Sequence, residues 1–180
     1  MGRLALAVVM ALAVSTCSTA RGPTPTQPVA TWRAVAQDAW KDTFQLTLFV
    51  QRDTATPGEP FRVRAQVDNV SGKPAEYTTW NAGDPPVYLA IEPPSGDAIL
   101  LRSPGDQEIV LPVVTVSVLQ PGKSVIREVS WDGSVPATAE RVAAPKGTYT
   151  LRARFYPGRA KDAGERSALT LAYAFQVKGG

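Results

Sequence analysis

From Thr148 to Tyr156, every second residue is apolar. Tyr149, Leu151, Ala153 and Phe155 alternate with Thr148, Thr150, Arg152 and Arg154. A period of two gives a strand one dry face and one wet face, as in an antiparallel sheet packed against a second layer. Leu169, Leu171, Tyr173, Phe175 and Val177 repeat the pattern against Thr170, Ala172, Ala174 and Gln176. These two runs set the terms for the rest of the chain.

Similar runs follow one another from Phe44 onward. Phe44 to Val50, Phe61 to Val67, Ala75 to Trp80, Val87 to Ile91, Ala98 to Leu101, Val113 to Leu119 and Ser124 to Trp131 read as strands. Turn-forming clusters separate them: Pro57-Gly58, Asn69 to Lys73, Asn81 to Pro86, Pro93 to Gly96 and Pro121-Gly122. The expectation is an all-β, antiparallel sandwich of about eight or nine short strands. Arg127 interrupts the apolar face formed by Val125, Val129 and Trp131, which places its strand near a sheet edge or a bulge. The one helical pattern is Trp32, Val35, Ala36, Ala39 and Trp40, spaced as a short helix after a Thr31 cap.

The amino-terminal stretch is of another kind. Arg3 precedes an apolar run from Leu4 to Val14, too short for the roughly 20 residues that cross a bilayer but suited to a secretory signal. Two processing sites compete. Val14-Ser15-Thr16-Cys17 resembles a lipobox, although Thr16 stands where Gly or Ala is usual, and would leave a lipid on Cys17. Ser18-Thr19-Ala20 is a small-x-small site that would release a secreted domain lacking Cys17. Cys17 is the only cysteine, and an exported protein that kept it unmodified would carry a lone thiol in an oxidising compartment. The expected division is a signal over residues 1–20, a Pro/Thr-rich tether and lead-in over 21–43, and the folded domain over 44–180.

Charge and composition narrow the function. With 19 Lys and Arg against 16 Asp and Glu, the chain lacks the excess of base that nucleic-acid binding uses. It has no histidine, so the commonest general base and metal ligand are missing. No cofactor or metal site, no nucleophile elbow and no phosphate loop is expected. Convergent acids near Trp80 and Asp84, or near Trp131 and Asp132, keep polysaccharide processing as a minor alternative. Arg62, Arg64, Arg152 and Arg154 would form a basic stripe only if their two strands were neighbours.

Several segments together resemble the BsuPI family of intracellular proteinase inhibitors and their exported relatives. They are Val67 to Pro74 (VDNVSGKP), Tyr88 to Ile91 leading into Pro94-Ser95-Gly96, Leu119 to Ser124 (LQPGKS), Trp131-Asp132-Gly133 and Ala144 to Tyr149 (APKGTY). The resemblance covers roughly residues 44–177 and implies an immunoglobulin-like sandwich with proteinase inhibition as its activity. The expected function is an exported, lipid-anchored, non-catalytic binding module. Its partner would be a protease or another envelope protein. A structural envelope component without inhibitory activity is the alternative. Two loops are the candidate contacts: Trp80, Asn81, Asp84 and Pro85 in one, Asp132, Glu140 and Arg141 in the other.

Overall fold

The computed structural model describes residues 31–80, 85–103, 113–137, 140–160 and 167–179. These residues form an all-β structure of thirteen strands without a helix. One sheet contains β1 (Arg33–Trp40), β2 (Phe44–Val50), β4 (Phe61–Asn69) and β9 (Ser124–Trp131), in that order. The second runs from β3 (Thr54–Ala55) through β13 (Leu169–Val177), β12 (Gly147–Phe155) and β6 (Val87–Glu92) to β7 (Ile99–Leu100). Two ribbons complete the set: β5 (Ala75–Thr79) with β8 (Thr115–Leu119), and β10 (Ser134–Pro136) with β11 (Arg141–Ala143). All pairs are antiparallel except β13 with β3.

The alternating residues put the core between the sheets. Phe44 on β2 meets Phe155 on β12 edge-on, with ring centres 5.0 Å apart. Toward the other end, Phe61 on β4 stacks on Phe175 of β13 at 4.5 Å, and Trp131 on β9 lies 5.7 Å from Tyr149 on β12. Each such side chain, removed from water, contributes roughly 1.5–3 kcal/mol. The chain passes between the sheets repeatedly, going to β3 and back, to β6 and β7 and back, and finally from β9 to β12. At the last crossing, the buried Tyr149 hydroxyl donates to the Pro145 carbonyl at 3.0 Å. That bond ties the start of β12 to the backbone four residues upstream.

The nine strands read from alternation are present, and β1, β3, β10 and β11 are additional. The segment from Trp32 to Trp40 is not a helix. It forms β1, and its register shifts between Ala34 and Ala36. The extra residue lets Val35 and Ala36, adjacent in sequence, both pack on the core together with Trp40. That spacing imitates a helical face. Arg127 does lie on an edge strand, as its place in the pattern predicts. It points inward, buried, and donates to the Leu101 carbonyl at 2.9 Å. Because β4 and β12 belong to opposite sheets, the four arginines make no common stripe. Arg64 pairs with Glu128 and lies over Trp32, whereas Arg152 pairs with Glu92.

Register also orients the sandwich. Arg33 pairs with Val50, and Phe61 pairs with Trp131, so β1 enters at the end that carries Asp132. Trp40, Phe44, Asn69 and Ser124 mark the opposite end.

Candidate functional site

The two loops singled out from sequence lie at opposite ends. Trp80 follows β5 at the Phe155 end, while Asp132 follows Trp131 at the Tyr149 end. They cannot form one contact surface. Cys17, Asn81 and Asp84 lie outside the described residues. Pro85 is half-buried just before β6.

The Asp132 loop is bound up in its own structure. The Asp132 carboxylate accepts from the Ser134 backbone at 3.0 Å and from its hydroxyl at 2.7 Å. Those bonds, the Ser134 hydroxyl foremost, hold its pKa below the usual carboxylate range. Arg141 donates to the Ser134 hydroxyl at 2.6 Å and to its carbonyl at 3.1 Å, and lies 3.6 Å from Asp132. The Glu140 carbonyl accepts from Ala137 at 2.7 Å, closing the β10–β11 hairpin. Asp132 and Arg141 hold a turn together. Glu140 alone presents its side chain to solvent there without a described bond.

The Trp80 end differs. Here β12 continues past Phe155 and is stitched to β5. Thr78 donates its amide to the Tyr156 carbonyl at 2.9 Å, and Gly158 donates to Glu76 at 2.7 Å. The buried Thr78 hydroxyl donates to the Gly158 carbonyl at 2.8 Å and accepts from Ala160 at 3.1 Å. Arg159 grips the Glu76 carboxylate with two bonds, at 2.8 and 3.1 Å, and lowers its pKa. Trp80 is buried, with Tyr156 edge-on at 5.5 Å.

These contacts leave an open cleft of about 620 Å³ walled by Trp40, Trp80 and Tyr156, with Lys41 and Arg159 at its margin. A second hollow of about 790 Å³ shares Trp40 and Gly158 and reaches Lys73, Glu76 and Val118. The Lys41 ammonium stands 5.2 Å from the Trp40 ring centre. Lys41 and Asp42 occupy the left-handed region, at φ 47° and 51°, in the three-residue turn between β1 and β2. Non-glycine residues rarely adopt that conformation, and such turns usually carry Asn-Gly or Gly. Sequence reasoning missed Trp40 and Lys41 as cleft residues because the helical spacing concealed a hairpin. The available signal was a polar Lys41-Asp42 pair between two strand-length segments.

The cleft sets aromatic rings into a mainly polar lining with Lys41 exposed beside it, and the adjoining hollow is the more apolar, so that together they suit an apolar side chain beside an acid. Among the described residues, no three potential metal ligands converge.

No protein-family model matches the chain, and no curated protein matches it. Among solved structures, a β-glucosidase from Listeria innocua in complex with isofagomine is 13% identical. Its TM-score is 0.45 over 76% of this chain and 16% of its own. A β-glucosidase from Erythrobacter marinus is 12% identical, with a TM-score of 0.46 over 76% of this chain and 15% of its own. The sporulation control protein Spo0M from Bacillus subtilis is 11% identical, with a TM-score of 0.39 over 76% and 49%. The chain thus spans about a sixth of the glucosidases and half of Spo0M. Likeness at this level bears on neither activity nor partner.

Proposed function

We propose that the chain is an exported, non-catalytic binding module, held to a membrane by a lipid on Cys17, that engages a protein through its Trp40–Tyr156 end. The single observation that carries this reading is the placement of the cleft. The strand that continues the amino-terminal tether enters at the Asp132 end, and the aromatic cleft lies at the other. An anchored domain would therefore turn its tether-side loops toward the membrane and the cleft outward. The Pro/Thr-rich stretch from Arg21 to Thr31 would serve as the spacer between anchor and domain. The partner presents an apolar side chain next to carboxylates, matching the aromatic walls and the exposed Lys41 and Lys73. The BsuPI resemblance favours a protease as that partner, and an immunoglobulin-like frame suits such use.

Two measurements test this. Intact mass from a membrane fraction should show a diacylglyceryl group on Cys17, lost in Cys17→Ala with release of the chain to the medium. A mature start at Arg21 without lipid defeats the anchor. Separately, the partner retained from envelope extract should fall at least tenfold with Lys41→Glu/Lys73→Glu and be unchanged with Lys146→Glu at the opposite end. Equal retention by both variants defeats the cleft.

A further inference from the structure

The edges of the sheets are not treated alike. β1 is kinked by its register shift and bears Arg33 and Asp38. β9 turns the charged Arg127 inward. β3 and β7 are two residues long, and the β10–β11 ribbon is three residues deep, with Pro136 and Arg141 in it. The outer side of β5 is covered by the Tyr156–Gly158 segment. Charge, proline, a bulge, shortness and cover are the ways sheets avoid pairing with other chains. β8 has none of these among the described residues. Its five residues, Thr115-Val116-Ser117-Val118-Leu119, pair with β5 in unbroken register and have no second partner strand there. The segment is uncharged and largely β-branched, with Val118 about half exposed.

We propose that the open edge of β8 pairs with β8 of a second copy of this chain, antiparallel about Ser117. The residues favour a copy over a foreign strand because they are self-complementary. A two-fold axis at Ser117 sets Val116 against Val118 and Thr115 against Leu119, with the two Ser117 residues facing. No like charges meet in any register, and β-branched cross-strand pairs each add about 0.2–1 kcal/mol. Such a pair forms about four to six backbone hydrogen bonds. A ribbon this short buries less than the roughly 1,600 Å² of a standard interface, so the association depends on concentration. It is independent of the lipid anchor, whereas Val118 also lines the hollow beside the cleft.

The test uses the full-length chain, in detergent where lipid is attached. Directly opposed residues in an antiparallel pair have Cα atoms about 4.5–5.5 Å apart, within disulfide range. Ser117→Cys should therefore yield a disulfide-linked dimer under mild oxidation. Val142→Cys, the more exposed of the two and on β11, should not. In sedimentation equilibrium the unmodified chain should self-associate with rising concentration. Ser117→Lys, which sets two ammonium groups face to face, should weaken that at least tenfold while the dilute variant keeps the parent's far-ultraviolet circular dichroism. No more Ser117→Cys dimer than Val142→Cys dimer, or a chain that stays monomeric at every concentration, overturns the proposal. Capture of a foreign strand at this edge by an otherwise monomeric chain overturns it equally.

Discussion

Asn69 donates from its side-chain amide to the carbonyl of Leu119, 2.7 Å away across fifty residues of chain. The same nitrogen donates to Lys73 at 2.8 Å, and the oxygen accepts from the Ser71 amide and hydroxyl at 3.0 and 2.7 Å. All four hydrogen-bonding positions of a buried amide are therefore used. The Asn69 backbone joins in, donating to Lys123 and accepting from Gly122. One side chain fastens the turn after β4 to the turn before β9.

Removing it takes the donor from the buried Leu119 carbonyl, worth about 1–3 kcal/mol, and unties the turn at Ser71 and Lys73. Asn69→Ala should lower unfolding free energy by about 2–4 kcal/mol in urea titration at unchanged slope. A loss under about 0.5 kcal/mol would show that water replaces the amide freely.

Gly133 and Gly58 both have positive φ, 74° and 84°, yet they differ in space. A Cβ on Gly133 would come 2.7 Å from the Pro57 Cα, whereas one on Gly58 meets nothing within 4 Å. Gly58→Ala should cost only the backbone term, about 1 kcal/mol. Gly133→Ala should cost at least about 1 kcal/mol more, because the Pro57 backbone must move. Equal thermal shifts for the two variants would refute the close approach.

The left-handed Lys41-Asp42 turn holds conformational strain that glycine relieves. Asp42→Gly should stabilise the domain by about 0.5–1 kcal/mol, raising the melting midpoint by a few degrees. A lowered midpoint would mean that the aspartate side chain contributes more than its backbone costs.

Arg152 donates to both carboxylate oxygens of Glu92, at 2.6 and 2.7 Å. This bond holds the Glu92 pKa below its ordinary 4.5, outweighing the opposing effect of burial. Because the folded-state value is depressed, the pair's contribution is present above the unfolded pKa and is lost as pH falls through the folded one. Glu92→Gln should therefore cost about 0.5–1 kcal/mol near pH 7, where the pair is partly screened by solvent. The difference from the parent should start to shrink below about pH 4.5 and vanish once Glu92 is protonated. A gap that persists at pH 2 would assign the effect to packing.

Much of this architecture follows from local pattern. Alternation at residues 44–50, 61–69, 147–155 and 169–177 is a one-dimensional record of which face is dry, so strands, core anchors and the β9 edge were legible before any coordinates. Asp68-Asn69-Val70-Ser71-Gly72 was legible as a turn, but not that Asn69 reaches Leu119. That partner is brought near only when β8 returns alongside β5. β1 was misread because a bulge placed Val35 and Ala36 on one side, and a single strand carries no mark separating that from a helical turn.

The candidate site was less legible still. Trp80, a candidate contact from its place in a loop, is buried, and Trp40 and Lys41, which line the same cleft, come from a hairpin forty residues earlier. Asp132 and Arg141 have the look of contact residues but spend their charges on one another and on Ser134. The sequence alone determined the fold class and the inward face of each core strand, because side-chain direction in a strand depends only on parity. Only the tertiary structure decided that the two candidate loops stand at opposite ends, that the arginines divide between two sheets, and that, among the described residues, β8 pairs with β5 alone. Those facts depend on which strands become neighbours, a choice made by long-range packing and by no residue acting by itself.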